Sequence, residues 1–223
     1  MKKQFAVIGL GNFGYYLATL LFQKGYEVLG IDRDARRVQE IRDGVSRAVI
    51  ADATDPEALK ELELEKMDLV VVSIGSDLNS SILATLNVKD LGVKRVVAKS
   101  VSDAHGRILQ KIGAAEVYFP EKDLAFTVAQ RLVNPNVLDY LPFMEGYSIV
   151  QLAPPRDFIG KNLIELDLIN RFGIQVIAIK ELVPDNVVMI PTGRFVIKDS
   201  DVLFLIGPDP AIEALQKNRD NGG

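Results

Sequence analysis

The feature that most limits how this chain can fold is a rhythm. Over the first two thirds, short apolar runs alternate with segments of helical spacing. The runs are Phe5 to Ile8, Glu27 to Ile31, Ala48 to Ile50, Leu69 to Ser73, Arg95 to Ala98 and Glu116 to Tyr118. Candidate helices lie between and after them, at Gly11 to Lys24, Asp34 to Arg42, Pro56 to Leu62, Asn79 to Leu91, Ala104 to Ile112 and Glu121 to Val133. A continuous apolar run suits a strand buried on both faces. Strands joined through helices run parallel, because each crossover returns the chain to the same edge of the sheet. The expected fold class is α/β, a doubly wound parallel sheet.

The pattern changes near Asn134 to Gly146, where two prolines, two asparagines and a glycine fall close together. Such residues mark a boundary. Beyond it, strands are expected at Tyr147 to Leu152, Gln175 to Ile179, Val187 to Ile190 and Asp201 to Ile206, with helices at Leu163 to Arg171 and Pro210 to Gln216. Short strands separated by turns predict a smaller α+β domain with an antiparallel or mixed sheet. The organisation expected is a first domain over 1–134, a linker or hinge over 135–146 and a second domain over 147–218.

Gly9-Leu10-Gly11-Asn12-Phe13-Gly14 matches G-x-G-x-x-G, and it sits between the first strand and the first helix. That context makes it a Rossmann-type phosphate loop. Gly9 allows the tight turn, Gly11 lets a phosphate approach the backbone, and Gly14 lets the helix pack near the strand. The N–H groups at the start of the helix then face the anion. Asp32 ends the second strand, where a carboxylate accepts hydrogen bonds from ribose hydroxyls. A ribose 2′-phosphate would be repelled by Asp32 unless Arg33 compensates. NAD, ADP, ATP and AMP all offer the same ribose and phosphate, so the nucleotide stays open.

Composition removes several classes. The 223 residues include no cysteine, which excludes disulfides and thiolate-ligated metals. The net charge of −4 argues against a nucleic-acid partner. No run approaches the ~18 apolar residues of a membrane-spanning helix, so direct membrane insertion is not expected. Met1-Lys2-Lys3 leads almost at once into the first strand, which is not the pattern of a secretory signal.

The wider pattern resembles the regulator of potassium conductance (RCK) family, in its Trk/Ktr branch (TrkA/KtrA-like) of potassium-uptake regulators. The resemblance rests on Phe5-Ala6-Val7-Ile8-Gly9-Leu10-Gly11 with Phe13-Gly14, on Ala51-Asp52-Ala53-Thr54, and on Ile112-Gly113-Ala114-Ala115-Glu116-Val117 followed by Pro120-Glu121. In the second domain it rests on Gly160-Lys161-Asn162-Leu163, Leu166-Asp167-Leu168, Arg171-Phe172-Gly173, Val176 to Lys180 and Asp199 to Gly207. It implies a cytoplasmic regulatory subunit that binds an adenine nucleotide (ADP, ATP, NAD or NADH). Such subunits assemble from dimers into a ring, expected to be octameric, on the inner face of a membrane potassium translocator of the TrkH or KtrB kind.

The nucleotide set implied is Gly9, Gly11, Asn12, Phe13, Gly14, Asp32, Arg33, Asp52, Ala53, Thr54, Ile74, Gly75, Lys99 and His105. Ala51 to Thr54 would form the adenine-side loop and Lys99 would approach phosphates. Glu121 would help to hold Mg²⁺ or another cation at a subunit contact. Several family members carry arginine where this chain has Asn12, which supplies no full charge. By resemblance, Leu163, Ile164, Arg171, Phe172 and Pro191 would bind cyclic di-AMP.

Two other function classes compete. An NAD-dependent oxidoreductase would need a proton-transfer group, but the second domain has neither histidine nor cysteine. His105, the only histidine, reads as a surface residue or a nucleotide neighbour rather than a catalytic base. A gating module cut from a potassium channel is the other rival, and the position of Met1 favours a separate subunit over it. The pairs Asp32 with Asp34 and Asp52 with Asp55 read as ribose contacts and helix caps rather than metal ligands. No catalytic residue is assigned.

Overall fold

A computed structural model of the chain describes residues 2–133 and 137–217. The chain divides into two compact units, Met1–Asp123 and Leu124–Gly223. In the first, strands β1 (Gln4–Ile8), β2 (Glu27–Asp32), β3 (Arg47–Ile50), β4 (Leu69–Val72), β5 (Val96–Lys99) and β6 (Glu116–Tyr118) alternate with helices α1 (Asn12–Gln23), α2 (Ala35–Ile41), α3 (Pro56–Lys60), α4 (Leu78–Asp90) and α5 (Asp103–Lys111). The sheet order is β3-β2-β1-β4-β5-β6, and every pairing in it is parallel.

Period-two alternation builds the two faces of this sheet. Ala6 and Ile8, Leu29 and Ile31, Val70 and Val72, and Val96 and Ala98 join one core, with Ala84, Val88 and Leu109 from α4 and α5. Val7, Val28, Val71 and Val97 join the other, with Ala18 from α1 and Val38 and Ile41 from α2. The chain winds outward from β1 in both directions. The carboxyl ends of β1 and β4 therefore flank a topological switch point, where open α/β sheets bind ligands.

Helix α6 (Pro120–Val133) opens in the first unit. The second unit contains β7 (Val137–Met144), β8 (Tyr147–Leu152), α7 (Leu163–Leu166), α8 (Leu168–Phe172), β9 (Gln175–Leu182), β10 (Asp185–Met189), β11 (Asp201–Pro208) and α9 (Asp209–Lys217). The sheet runs β10-β9-β11-β8-β7, with every pairing antiparallel. Its core gathers Val150, Leu152, Phe158, Leu168, Ile174, Ile179, Leu203, Leu205 and Ile212.

Two expectations change. Residues 137–144, read as hinge, form β7 and pair with β8. Pro142 broke the alternation on which a strand is recognised, and an edge strand tolerates proline because one row of its N–H groups needs no partner. The single helix expected over Leu163 to Arg171 is two short helices, broken at Asp167, which takes the left-handed conformation at φ 46°. Aspartate is one of the few residues that visits this region as a single residue. Of the boundary cluster, 134–136 lie outside the described residues, as does 218 at the expected end of the second domain.

Candidate functional site

The glycine loop is placed by backbone contacts on both sides. The N–H of Gly9 donates to Ile31 O at 2.8 Å and that of Ser73 to Ile8 O at 2.7 Å. Gly9 has φ +91°, which favours glycine, and a Cβ there would meet Ile74 N at 3.0 Å. At Gly14 a Cβ would lie 1.9 Å from Gly9 O, so α1 can start this close to β1 only without a side chain. At Gly11 a Cβ would meet no protein atom within 4 Å. The first two positions are closed by protein, and the third opens on a cavity.

That cavity, about 350 Å³, is lined by residues from the carboxyl ends of β1, β2, β4 and β5, from the segments after these strands and after β3, and by Glu121 of the helix that follows β6. Gly9, Gly11, Asn12, Phe13, Asp32, Arg33, Asp52, Ala53, Ile74, Gly75, Lys99 and Glu121 of the expected set lie on its wall. Helix α1 enters with no capping side chain and no acid in its first turn. Its unpaired N–H groups and dipole are thus left for an anion.

The charged groups divide along the cavity. Asp32 is buried. Its Oδ2 accepts from the Leu10 N–H at 2.7 Å and from Arg37 Nη1 at 3.4 Å, and its Oδ1 from the Asp34 N–H at 2.9 Å. Asp52 Oδ1 accepts from the Thr54 N–H at 2.9 Å and the Thr54 hydroxyl at 2.7 Å. These bonds, with the Arg33 charge nearby, hold its carboxyl below the ordinary value. Asn87 donates to Ala53 O and Thr54 O, both at 3.1 Å, and so fixes the loop. Thr54 therefore shapes the loop without lining the cavity.

At the other end, Lys99 Nζ lies 2.5 Å from Glu121 Oε1 and 5.9 Å from the Phe13 ring centroid. Its hydrogen bond holds the Glu121 carboxyl below the usual range. Glu121 is thus already paired, and no group of three His, Asp or Glu suited to a metal occurs among the described residues.

His105, expected at the surface or beside the nucleotide, is buried and off the cavity wall. Its Nδ1 accepts from the Val101 N–H at 3.5 Å, its Nε2 has no partner, and desolvation lowers its pKa. The inward side of α5 carries His105, Gly106 and Leu109, so the packing of this helix on the sheet buries the imidazole. Sequence reading did not find Arg37, Ser73, Ser76, Asp77 and Ser80. Ser73 follows β4 directly and Asp77 caps α4, so adjacency to a strand's carboxyl end and to a helix start was the available signal. Ser73 Oγ is buried without a partner, 3.1 Å from where a Cβ on Gly14 would lie.

In the second unit, the Arg171 guanidinium lies 5.0 Å from the Phe172 ring centroid and donates to Leu166 O at 3.3 Å. Both residues line a cavity of about 130 Å³ with Lys161, Asp157 and Phe158, and Leu163, Ile164 and Pro191 do not. Leu163 packs on the core, and the Ile164 N–H donates to Gly193 O at 2.9 Å.

Known proteins match this arrangement. Residues 5–120 match the TrkA-N domain model and residues 147–219 the TrkA-C domain model. Ktr system potassium uptake protein C of Bacillus subtilis (strain 168) is 40% identical over 217 residues, 97% of each chain. The chain belongs to the Ktr family of potassium uptake proteins. A second Ktr relative, potassium uptake protein A of Vibrio alginolyticus, is 36% identical over 92% of this chain and 93% of its own. Among solved structures, the GsuK RCK domain superposes with a TM-score of 0.65 at 18% identity, covering 98% of this chain and 48% of that one. The GsuK channel bound to NAD gives 0.64 at 17%, covering 96% and 39%. The Ktr chain thus spans about half, or less, of those two GsuK chains, and at such identities the likeness is one of fold. No helix among the described residues is long and apolar enough to cross a membrane.

Proposed function

We propose that this Ktr-family chain is a cytoplasmic regulatory subunit whose first unit binds an adenine nucleotide and so gates a membrane potassium translocator. One observation carries the reading: an open glycine loop and an uncapped helix start share a cavity with the Asp32 carboxylate and the Lys99 ammonium. Phosphates face the helix start and Lys99, and a ribose faces Asp32. The NAD-bound GsuK channel, a relative in fold, supports the choice of ligand.

Gating follows from differential affinity. A nucleotide shifts an equilibrium between subunit arrangements only by the difference in its affinity for the two. Because Glu121 holds Lys99, a phosphate that recruits Lys99 competes with Glu121 at the start of α6. The number and charge of phosphates then bias that helix. Assembly into a ring of dimers docked on the translocator would transmit the bias. The chain acts here as a regulator and not as an oxidoreductase, and reproducible substrate-dependent oxidation of NADH, abolished by Asp32→Ala, would overturn that part. In the second unit, stacked Arg171 and Phe172 support cyclic di-AMP as a second ligand, and loss of its binding in Arg171→Ala would bear this out.

The decisive experiment pairs calorimetry with transport. ADP, ATP and NAD, with and without Mg²⁺, are titrated into wild type and Glu121→Gln, and potassium uptake is measured in cells lacking the subunit. Glu121→Gln should weaken the uptake response more than nucleotide binding. Absence of binding by all three nucleotides, with uptake unchanged on adding the subunit, sinks the proposal.

A further inference from the structure

The ribose end of the cavity holds a contact that the acidic residue alone does not explain. A carboxylate accepts roughly four hydrogen bonds, and Asp32 already accepts three, from the Leu10 and Asp34 N–H groups and from Arg37. Two of these tie it to backbone. Asp32 thereby fastens the glycine loop to the end of β2, and much of its charge is directed into the protein. The third partner differs. The Arg37 side chain is 46% exposed and its contact is 3.4 Å long, beyond the ~2.7–2.9 Å of a strong charge-assisted bond. It is the exchangeable member of the set.

Arg33 also lines the cavity, but its charge acts on Asp52 and Asp77. Among the described residues, Arg37 alone forms an ion pair with Asp32. The repulsion that Asp32 would direct at a ribose 2′-phosphate is therefore offset at its source. An arginine beside the ribose carboxylate is the group that accommodates such a phosphate, and its planar fork suits phosphate oxygens. A free diol and a 2′-phosphate would each engage one side of the Arg37–Asp32 pair. The diol would displace Arg37 from Asp32, whereas the phosphate would share it, since the guanidinium has donors enough to bridge both anions and keep the carboxylate offset.

We propose that Arg37 is a specificity-determining residue that opens this site to adenine nucleotides phosphorylated on the ribose 2′ oxygen, the NADP(H) class, alongside those with a free diol. The proposal rests on the reading that the cavity binds adenine nucleotides. Its test uses AMP and adenosine 2′,5′-bisphosphate, which differ only in the 2′-phosphate, titrated by calorimetry into the full chain. Wild type should bind the two within about fivefold of each other. Because a hydrogen bond to a charged group is strong, Arg37→Gln should weaken the bisphosphate by about tenfold or more. The same variant should leave AMP unchanged or tighter, and Arg37→Lys should fall between. Unfolding curves that match wild type show that the variants remain folded.

Binding of AMP by wild type with the bisphosphate at least about fiftyfold weaker overturns the proposal and spares the nucleotide reading. Equal loss of both ligands in Arg37→Gln also overturns it, since that marks a structural role. Failure of wild type to bind either ligand takes down the proposal together with the reading beneath it.

Discussion

At the scale of single residues, the three loop glycines are under different constraints. At Gly14 an added methyl would collide with the Gly9 carbonyl oxygen at 1.9 Å. Gly14→Ala should therefore destabilise the first unit by about 1–3 kcal/mol or more, because backbone cannot move aside as a side chain can. Gly11 has an ordinary extended backbone, φ −66° and ψ −177°, and open space beyond its Cα. Gly11→Ala should cost about 1 kcal/mol at most, as the loss of a glycine N-cap, while Gly11→Val abolishes phosphate approach. Chemical denaturation combined with ADP titration separates these effects. Gly14→Ala should lose stability and Gly11→Val should lose binding. The reverse pattern would mean that the loop does not face the ligand. Asp32→Ala should lose both, because its carboxylate holds the Leu10 N–H as well as facing the cavity.

At the scale of elements, an ion pair ties three parts of the second unit together. Glu181 on β9 accepts from Lys198 Nζ at 2.6 Å and from Asn186 Nδ2 of β10 at 3.0 Å. Lys198 holds the Glu181 carboxyl below its ordinary value of 4.5, and the same bond raises the Lys198 ammonium above 10.5. The two signs fix the pH window. A carboxyl with a depressed folded pKa adds stability above about 4.5 that is lost as pH falls through the folded value. A raised lysine adds stability that is lost only as pH rises past its folded value. The tie is thus at full strength from mildly acid to mildly alkaline pH. Glu181→Gln should flatten the fall in melting temperature between about pH 5 and pH 3, and an unchanged acid limb would count against the pair. The break between α7 and α8 makes a second prediction. Alanine has neither the αL tolerance of aspartate nor its Oδ1 bond to Asn170, so Asp167→Ala should cost about 1–2 kcal/mol. Asp167→Gly should cost less, and thermal melts of the two variants decide it.

At the scale of the whole molecule, the chain carries two sets of cores, one per unit, and the nucleotide cavity belongs to the first. Ligand that binds only the native state should stabilise by about 2.7 kcal/mol at a hundred times its dissociation constant. Hydrogen exchange with saturating ADP should show the largest gain in protection at 9–14, 32–37, 51–53, 73–77 and 99. Protection centred in the second unit instead would place the nucleotide elsewhere.

Sequence alone carried the parallel sheet, the glycine loop and the acid at the end of β2. Each is local: a run of apolar residues, a strand–turn–helix spacing, a carboxylate beside it. Composition and periodicity could also place α5, but not tell which way His105 turned, because a single polar residue on a helix has no pattern of its own. Strand β7 was hidden because Pro142 interrupts alternation, and the break at Asp167 because one left-handed residue leaves helical spacing nearly intact. The pairing of Arg37 with Asp32 was invisible for a different reason. It depends on where α2 lies against the end of β2, and that is decided by how Val38 and Ile41 pack into the core with Val7 and Val28. Side chains brought together by packing share no signal along the chain, so only the tertiary structure could bring an arginine to the ribose carboxylate.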